Sequence, residues 1–165
     1  VLKTFVFPGS FDPFSLGHLD IAKRATKLCD RLVVAVMNNS VKHPTFTSQE
    51  RKMMAEKCLE GTPGIEVITH DSLLVDLFVK VDAAAVVRGL RSESDFRNEA
   101  EMAAANKLLL PEYDVILLPC SADLAFTSST IIKEVAFYGG NISRMVSPSI
   151  VDFVATTISE RIKRD

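Results

Sequence analysis

Six consecutive residues, Leu32-Val33-Val34-Ala35-Val36-Met37, carry no polar side chain. A run this short and this rich in valine reads as a strand with both faces covered, because a half-exposed strand would alternate with polar residues. Covering both faces takes helices above and below, so this run alone directs the chain towards a layered α/β fold. Phe5-Val6-Phe7, Ile65 to Thr69, Ala84-Ala85-Val86-Val87 and Asp114 to Leu118 read as four further strands. Amphipathic stretches lie between them. Gly17 to Cys29 has Leu19, Ile21, Ala22, Ala25 and Leu28 at helical spacing. Thr47 and Glu50 have the spacing of a capping box, and the helix they open stops at Gly61-Thr62-Pro63-Gly64. Ser72 to Lys80 predicts a short helix. Glu93 to Leu110 predicts a long one, stopped by Pro111. Thr127 to Phe137 predicts another, ending at Gly139-Gly140. Ser147-Pro148, an N-cap followed by proline at the first helical position, predicts a last helix to about Lys163.

Five buried strands alternating with helices predict one α/β domain over residues 1–165, a Rossmann-like five-stranded parallel sheet with helices on both faces. Its 165 residues suffice for one core of ordinary size. The formal charge is -2, from 19 Lys+Arg against 21 Asp+Glu, which argues against a general nucleic-acid binder. Cys29, Cys58 and Cys120 are odd in number and widely spaced, so neither a disulfide framework nor a zinc site follows and a reducing compartment is expected. No apolar run approaches the roughly 20 residues of a membrane span. The apolar start ends at Pro8-Gly9, too soon for a signal peptide, and the expected location is the cytoplasm, without a membrane partner.

In a parallel α/β sheet the ligand sits beyond the carboxyl ends of the strands, where the strand order reverses. The loops after the strands are therefore where the chemistry is sought. Pro8-Gly9-Ser10-Phe11-Asp12-Pro13-Phe14-Ser15-Leu16-Gly17-His18 follows the first strand. It contains neither GxGxxG nor GxxxxGK[ST], yet it is a glycine-containing loop entering a helix, and such a turn offers free amides to an anion. His18 lies in the first helical turn, as an anion ligand or a capping side chain. Lys42 follows the second strand, where it either meets a phosphate as a point charge or is solvated. Arg88-Gly89-Leu90-Arg91 leaves the fourth strand with two guanidinium groups suited to bidentate anion binding or to surface ion pairs. Thr127-Ser128-Ser129-Thr130 opens a helix with four hydroxyls, as a phosphate cradle or as simple caps. His43 and His70 read as surface residues.

Taken in order, these motifs resemble the HxGH-type nucleotidyltransferases, with Ser15-Leu16-Gly17-His18 at the signature. Ser15 in place of the first His, the opening Pro8-Gly9-Ser10-Phe11-Asp12-Pro13 and the Arg88–Arg91 tetrad are similar to one branch, the phosphopantetheine adenylyltransferases. Phe46 to Arg51, Asp95, Phe96, Glu99 and Lys133-Glu134-Val135-Ala136 also look like that branch. Ser10, Asn98 and Thr127 depart from its usual Thr, aromatic residue and Ile. The resemblance runs from Phe7 to about Ser149.

It implies transfer of the adenylyl group of ATP to 4'-phosphopantetheine, giving dephospho-coenzyme A and pyrophosphate by direct in-line attack. The implied catalytic residues are His18, Lys42, Ser10 and Arg91. The implied ATP contacts are Ser10, Phe11, His18, Gly89, Leu90, Arg91 and Glu99, with Leu124, Ala125, Phe126, Thr127, Ser128, Ser129 and Thr130. Arg88 would hold the acceptor phosphate, with Ser10 and Lys42 binding between it and the α-phosphate. Leu73, Leu74, Met102 and Asn106 would line the channel for the pantetheine arm, although leucine and methionine at helical spacing also suit a core. Mg2+ is expected on the triphosphate, with no metal site built from protein side chains. Coenzyme A as feedback inhibitor and a homohexamer of two trimers follow from the resemblance alone. The alternatives are a nucleotidyltransferase for nicotinate mononucleotide or a polyol phosphate, a nucleotide-binding regulatory module without catalysis and, weakest, a nicotinamide-dependent oxidoreductase.

Overall fold

The computed structural model describes residues 2–38, 41 and 43–162. The apolar runs form one parallel sheet of five strands: β1 (Thr4–Gly9), β2 (Arg31–Met37), β3 (Ile65–His70), β4 (Ala83–Leu90) and β5 (Val115–Pro119). Their order across the sheet is β3-β2-β1-β4-β5, so the order reverses between β1 and β4. The helices are α1 (Leu16–Ala25), α2 (Ser48–Leu59), α3 (Leu74–Lys80), α4 (Glu93–Leu109), α5 (Ser129–Phe137) and α6 (Val151–Arg161).

Strand side chains alternate between two cores. Phe5, Phe7, Leu32, Val34, Val36, Ala85 and Val87 face α1, α2, α5 and α6 through Ile21, Ala22, Met54, Ile132, Val154 and Ile158. Val6, Val33, Ala35 and Val86 face the other way, onto Val75, Leu77 and Phe78 of α3 and Tyr113. Each face of β2 is thus covered, which is why its sequence does not alternate.

Several boundaries differ from the sequence expectation. The helix expected to Cys29 ends at Ala25, because Lys27 and Leu28 donate to carbonyls three residues back (Arg24 and Ala25) and tighten the last turn. The strand expected to end at Val87 continues to Leu90, since Arg88, Gly89 and Leu90 pair with Leu117, Leu118 and Pro119 of β5. The tetrad therefore leaves the sheet only at Arg91. The last helix does not start at Ser147-Pro148. The Ser147 hydroxyl pairs with that of Ser149, Ile150 N–H donates to the Ser147 carbonyl, and α6 begins at Val151. Lys163 lies outside the described residues.

Candidate active site

The ends of β1 and β4, with the start of α5, enclose a cleft of about 630 Å³ at the point where the strand order reverses. Its floor is the turn after β1. Phe11 adopts φ 50°, a left-handed conformation that a bulky residue holds only where its surroundings impose it. The imposed contact is visible at Gly9, where a Cβ would lie 2.8 Å from carbons of the Phe11 ring. Only glycine lets that ring fold back over the strand end.

Ser15 caps α1, and its hydroxyl accepts from His18 N–H at 3.1 Å. In return the Ser15 main-chain N–H donates to His18 Nδ1 at 3.0 Å. This is a capping box with imidazole in the place usually held by Glu or Gln. It assigns the tautomer: Nδ1 accepts, so the ring proton of neutral His18 sits on Nε2. Phe11 and Phe14 flank the ring, with centroids 5.0 and 5.4 Å away. Burial, then the nearby Arg91 and Arg88 guanidinium groups, lower the His18 pKa from 6.5 to about 3. His18 is therefore a neutral hydrogen-bond donor in the cleft, and not a cation.

The basic residues around it are each paired. Arg88 Nε and Nη2 donate to the two Glu99 carboxylate oxygens at 2.8 and 2.7 Å, and Nη1 donates to the Pro8 carbonyl at 2.7 Å. Arg91 lies 3.6 Å from Asp95. Lys133 donates to Asp12 at 2.9 Å. Asp12 is buried and also accepts from the Thr45 and Phe46 main-chain N–H groups, at 3.0 and 2.9 Å. The pairs keep three cations in a cleft without leaving any of them uncompensated, and each guanidinium retains N–H donors for an incoming anion.

At the start of α5 the hydroxyls divide. Ser128 is the N-cap and accepts from Ile131 N–H. Ser129 donates to the Pro13 carbonyl at 2.9 Å. Thr127 is buried and donates to the Leu124 carbonyl at 2.8 Å, so its hydroxyl faces away from a ligand. Thr130 is exposed on the cleft wall. The Ser129 and Thr130 amides, ahead of the capped Ile131 N–H, remain available to an anion.

Of the residues expected from sequence, Ser10, Phe11, His18, Arg88, Gly89, Arg91, Glu99, Leu124, Thr127, Ser128, Ser129 and Thr130 line this cleft. Leu90, Ala125, Phe126, Leu73, Leu74, Met102 and Asn106 do not. Leu73 and Met102 are exposed on α3's N-cap and on α4, outside either core. Lys42 lies outside the described residues. His43, read as a surface residue, is exposed but lines the cleft beside Pro44. His70 bonds to the Leu73 carbonyl and Ser72, away from it. Asp12, Asp95 and Cys120 are lining residues to which the sequence analysis assigned no role in the site. Helical spacing carried part of the signal: Arg91, Asp95 and Glu99 are successive i,i+4 positions, as are Ser129 and Lys133. Among the described residues no group of three or more His, Cys, Asp or Glu side chains is placed to hold a metal ion.

The cytidylyltransferase-like family model matches residues 6–135. Among curated proteins, a phosphopantetheine adenylyltransferase of Caldanaerobacter subterraneus subsp. tengcongensis is 40% identical over 163 residues, covering 99% of both chains. Another of that name, from Lachnoclostridium phytofermentans, is 40% identical over 153 residues, covering 93% of this chain and 94% of its own. A third, from Anaeromyxobacter dehalogenans, is 42% identical over 150 residues, covering 91% of this chain and 92% of its own. Among solved structures, a protein of Vibrio parahaemolyticus provisionally described as a nicotinate-nucleotide adenylyltransferase superposes with a TM-score of 0.66. It shares 17% identity over 97% of this chain and 93% of its own, a likeness of fold.

Proposed function

Because the chain belongs to the cytidylyltransferase-like family, and within it to the phosphopantetheine adenylyltransferases, we propose that the cleft transfers the adenylyl group of ATP to 4'-phosphopantetheine. The observation that carries this reading is the neutral His18 donor, set between paired arginines and the α5 N-terminus at the β1/β4 crevice of a chain with these relatives.

An oxygen of the acceptor's phosphate attacks the α-phosphorus of ATP. The bond from that phosphorus to the bridging oxygen breaks, pyrophosphate leaves on the opposite side, and dephospho-coenzyme A is formed. No protein nucleophile is needed, so rate comes from positioning and from stabilising charge on the α-phosphate. His18 Nε2–H donates to a non-bridging α-oxygen, most strongly in the transition state. Arg88 holds the acceptor phosphate with the N–H groups left free by Glu99 and Pro8. Arg91, Ser129, Thr130 and the α5 amides take the β- and γ-phosphates. Ser10 and Lys42 bind between the two substrates. Leu90, Ala125 and Phe126 flank the nucleoside, and Leu73, Leu74, Met102 and Asn106 take the pantetheine arm further out. The Asp12, Asp95 and Glu99 carboxylates of the cleft are paired with basic side chains, so a magnesium ion bound with the triphosphate would be held by phosphate oxygens and water, where it would offset phosphate charge.

The same reading carries three further proposals. The enzyme works in the cytoplasm; its cysteines are free, and no described helix is long and apolar enough to cross a membrane. It assembles as a homohexamer, a reading supported by α4, which buries no residue in the monomer and exposes Phe96, Leu108 and Leu109. Coenzyme A, which contains the product's structure, competes for the cleft as a feedback inhibitor.

The test is pyrophosphate release from Mg-ATP with 4'-phosphopantetheine and, separately, with nicotinate mononucleotide. Release with the first alone is expected. Release with the second alone would overturn the acceptor, and silence with both while ATP still binds would favour a regulatory nucleotide module.

A further inference from the structure

Arg51 on α2 is 1% exposed, the most deeply placed charged side chain among the described residues. It forms no ion pair with any described carboxylate. Burying an uncompensated charge is costly, so its hydrogen bonds must be good ones. Nε donates to the Phe46 carbonyl at 3.1 Å, Nη1 to the Ser10 and Met37 carbonyls at 2.8 and 3.0 Å, and Nη2 to Asn38 Oδ1 at 2.8 Å. These acceptors sit on three separate pieces of chain: the turn after β1, the end of β2 and the segment entering α2. Two of these pieces border the cleft, through Ser10 and through His43 and Pro44. The Asp12 carboxylate, near enough to support the guanidinium charge, grips the same entry segment from its other side through Thr45 and Phe46.

We propose that Arg51 is a positioning residue for the transfer reaction: one buried guanidinium locks the turn after β1, the end of β2 and the segment entering α2 into a single cradle that fixes where Ser10 and the segment 43–46 meet the reacting phosphates. The five-donor fork suits the task, since Nε, Nη1 and Nη2 between them reach acceptors on three pieces of chain. A lysine ammonium is a point donor on a similar stem and cannot span them. Arg51 does not line the cleft, whereas Ser10, whose carbonyl it holds, does.

The inference rests on the proposed reaction, and the experiment separates the two. Arg51→Lys and Arg51→Met are compared with the wild type by circular-dichroism melting, by calorimetric ATP affinity, and by kcat and KM for pyrophosphate release with 4'-phosphopantetheine. The expected result is a folded Arg51→Lys protein with ATP affinity within about threefold and kcat lowered about 10- to 100-fold, the scale of a small misplacement of reacting groups. A folded Arg51→Lys with kcat within twofold of wild type would overturn the proposal. If the lysine variant does not fold, Arg51→Met, which leaves no buried charge, decides: folded and slow supports the clamp, folded and fast overturns it. A wild type inactive on phosphopantetheine would overturn the reaction assignment and leave the clamp to amide exchange in Arg51→Met. Faster exchange in both 9–12 and 44–47 would then support it, and unchanged exchange would overturn it.

Discussion

Replacing His18 by Ala and by Gln separates a neutral donor from a base or a cation. The Ser15 N–H ties up Nδ1, and burial beside Arg91 and Arg88 takes the pKa from 6.5 to about 3. At about 1.4 kcal/mol per tenfold, that disfavours the imidazolium by about 5 kcal/mol relative to water. At pH 5 about 1% of His18 is charged, where an ordinary histidine would be about 97% charged. Ala removes both the cap acceptor and the cleft donor. Its expected costs are about 1 kcal/mol of stability from the cap and about 100- to 1000-fold in kcat from one lost donor to developing charge, with ATP affinity little changed. Gln restores an acceptor for Ser15 N–H and an N–H donor without any ability to titrate, so it should recover at least tenfold of that loss. The direct assay is 15N NMR of the imidazole: Nδ1 bare, Nε2 protonated, shifts constant from pH 8 to pH 5. A His18 titrating near 6.5, together with a Gln variant as slow as the Ala variant, would refute the reasoning. Linkage gives a further check. The unfolded chain takes up a proton near 6.5 that the folded chain refuses until about 3, so this stabilisation is present above 6.5 and lost as pH falls, by about 2 kcal/mol at pH 5. The Gln variant should lack that loss.

Two other outcomes follow from the geometry. Arg161 holds both Glu50 oxygens at 2.6 Å, and the pair, chiefly that hydrogen bonding, lowers the Glu50 pKa from 4.5 to about 2. Its stabilisation is therefore present above pH 4.5 and lost as pH falls towards 2; urea midpoints of Glu50→Gln should fall less than those of wild type over that window, and parallel curves would contradict this. Cys120 lines the cleft and Cys29 does not, so Mg-ATP should slow iodoacetamide labelling of Cys120 at pH 8 while leaving Cys29 unchanged, read by peptide mass; equal rates with and without nucleotide would place the nucleotide elsewhere.

The strands were legible because two-face burial leaves a mark that single residues cannot hide: Leu32 to Met37 could be little else. The capping box at Thr47 and Glu50 was legible because both partners sit within one turn, and the structure forms both of its bonds. Ser147-Pro148 offered the same kind of local signal and misled, since Ser147 found a partner in Ser149 and helix formation waited for Val151. At the site, the residues near in sequence to a strand end were found. Asp12 was passed over because its partners, Thr45, Phe46 and Lys133, are 33, 34 and 121 positions away. Arg51 was seen only as part of a helix start for the same reason: its acceptor on Ser10 is 41 residues distant. Long-range pairing of a buried charge leaves no periodicity to read.

The most direct measurement of the central claim uses ATP carrying a chiral thiophosphate at the α-position, with 4'-phosphopantetheine as acceptor. A single direct displacement predicts thio-substituted dephospho-coenzyme A with inverted configuration at that phosphorus. Retention would require two displacements through a covalent intermediate for which no role has been assigned to any side chain, and would contradict the account.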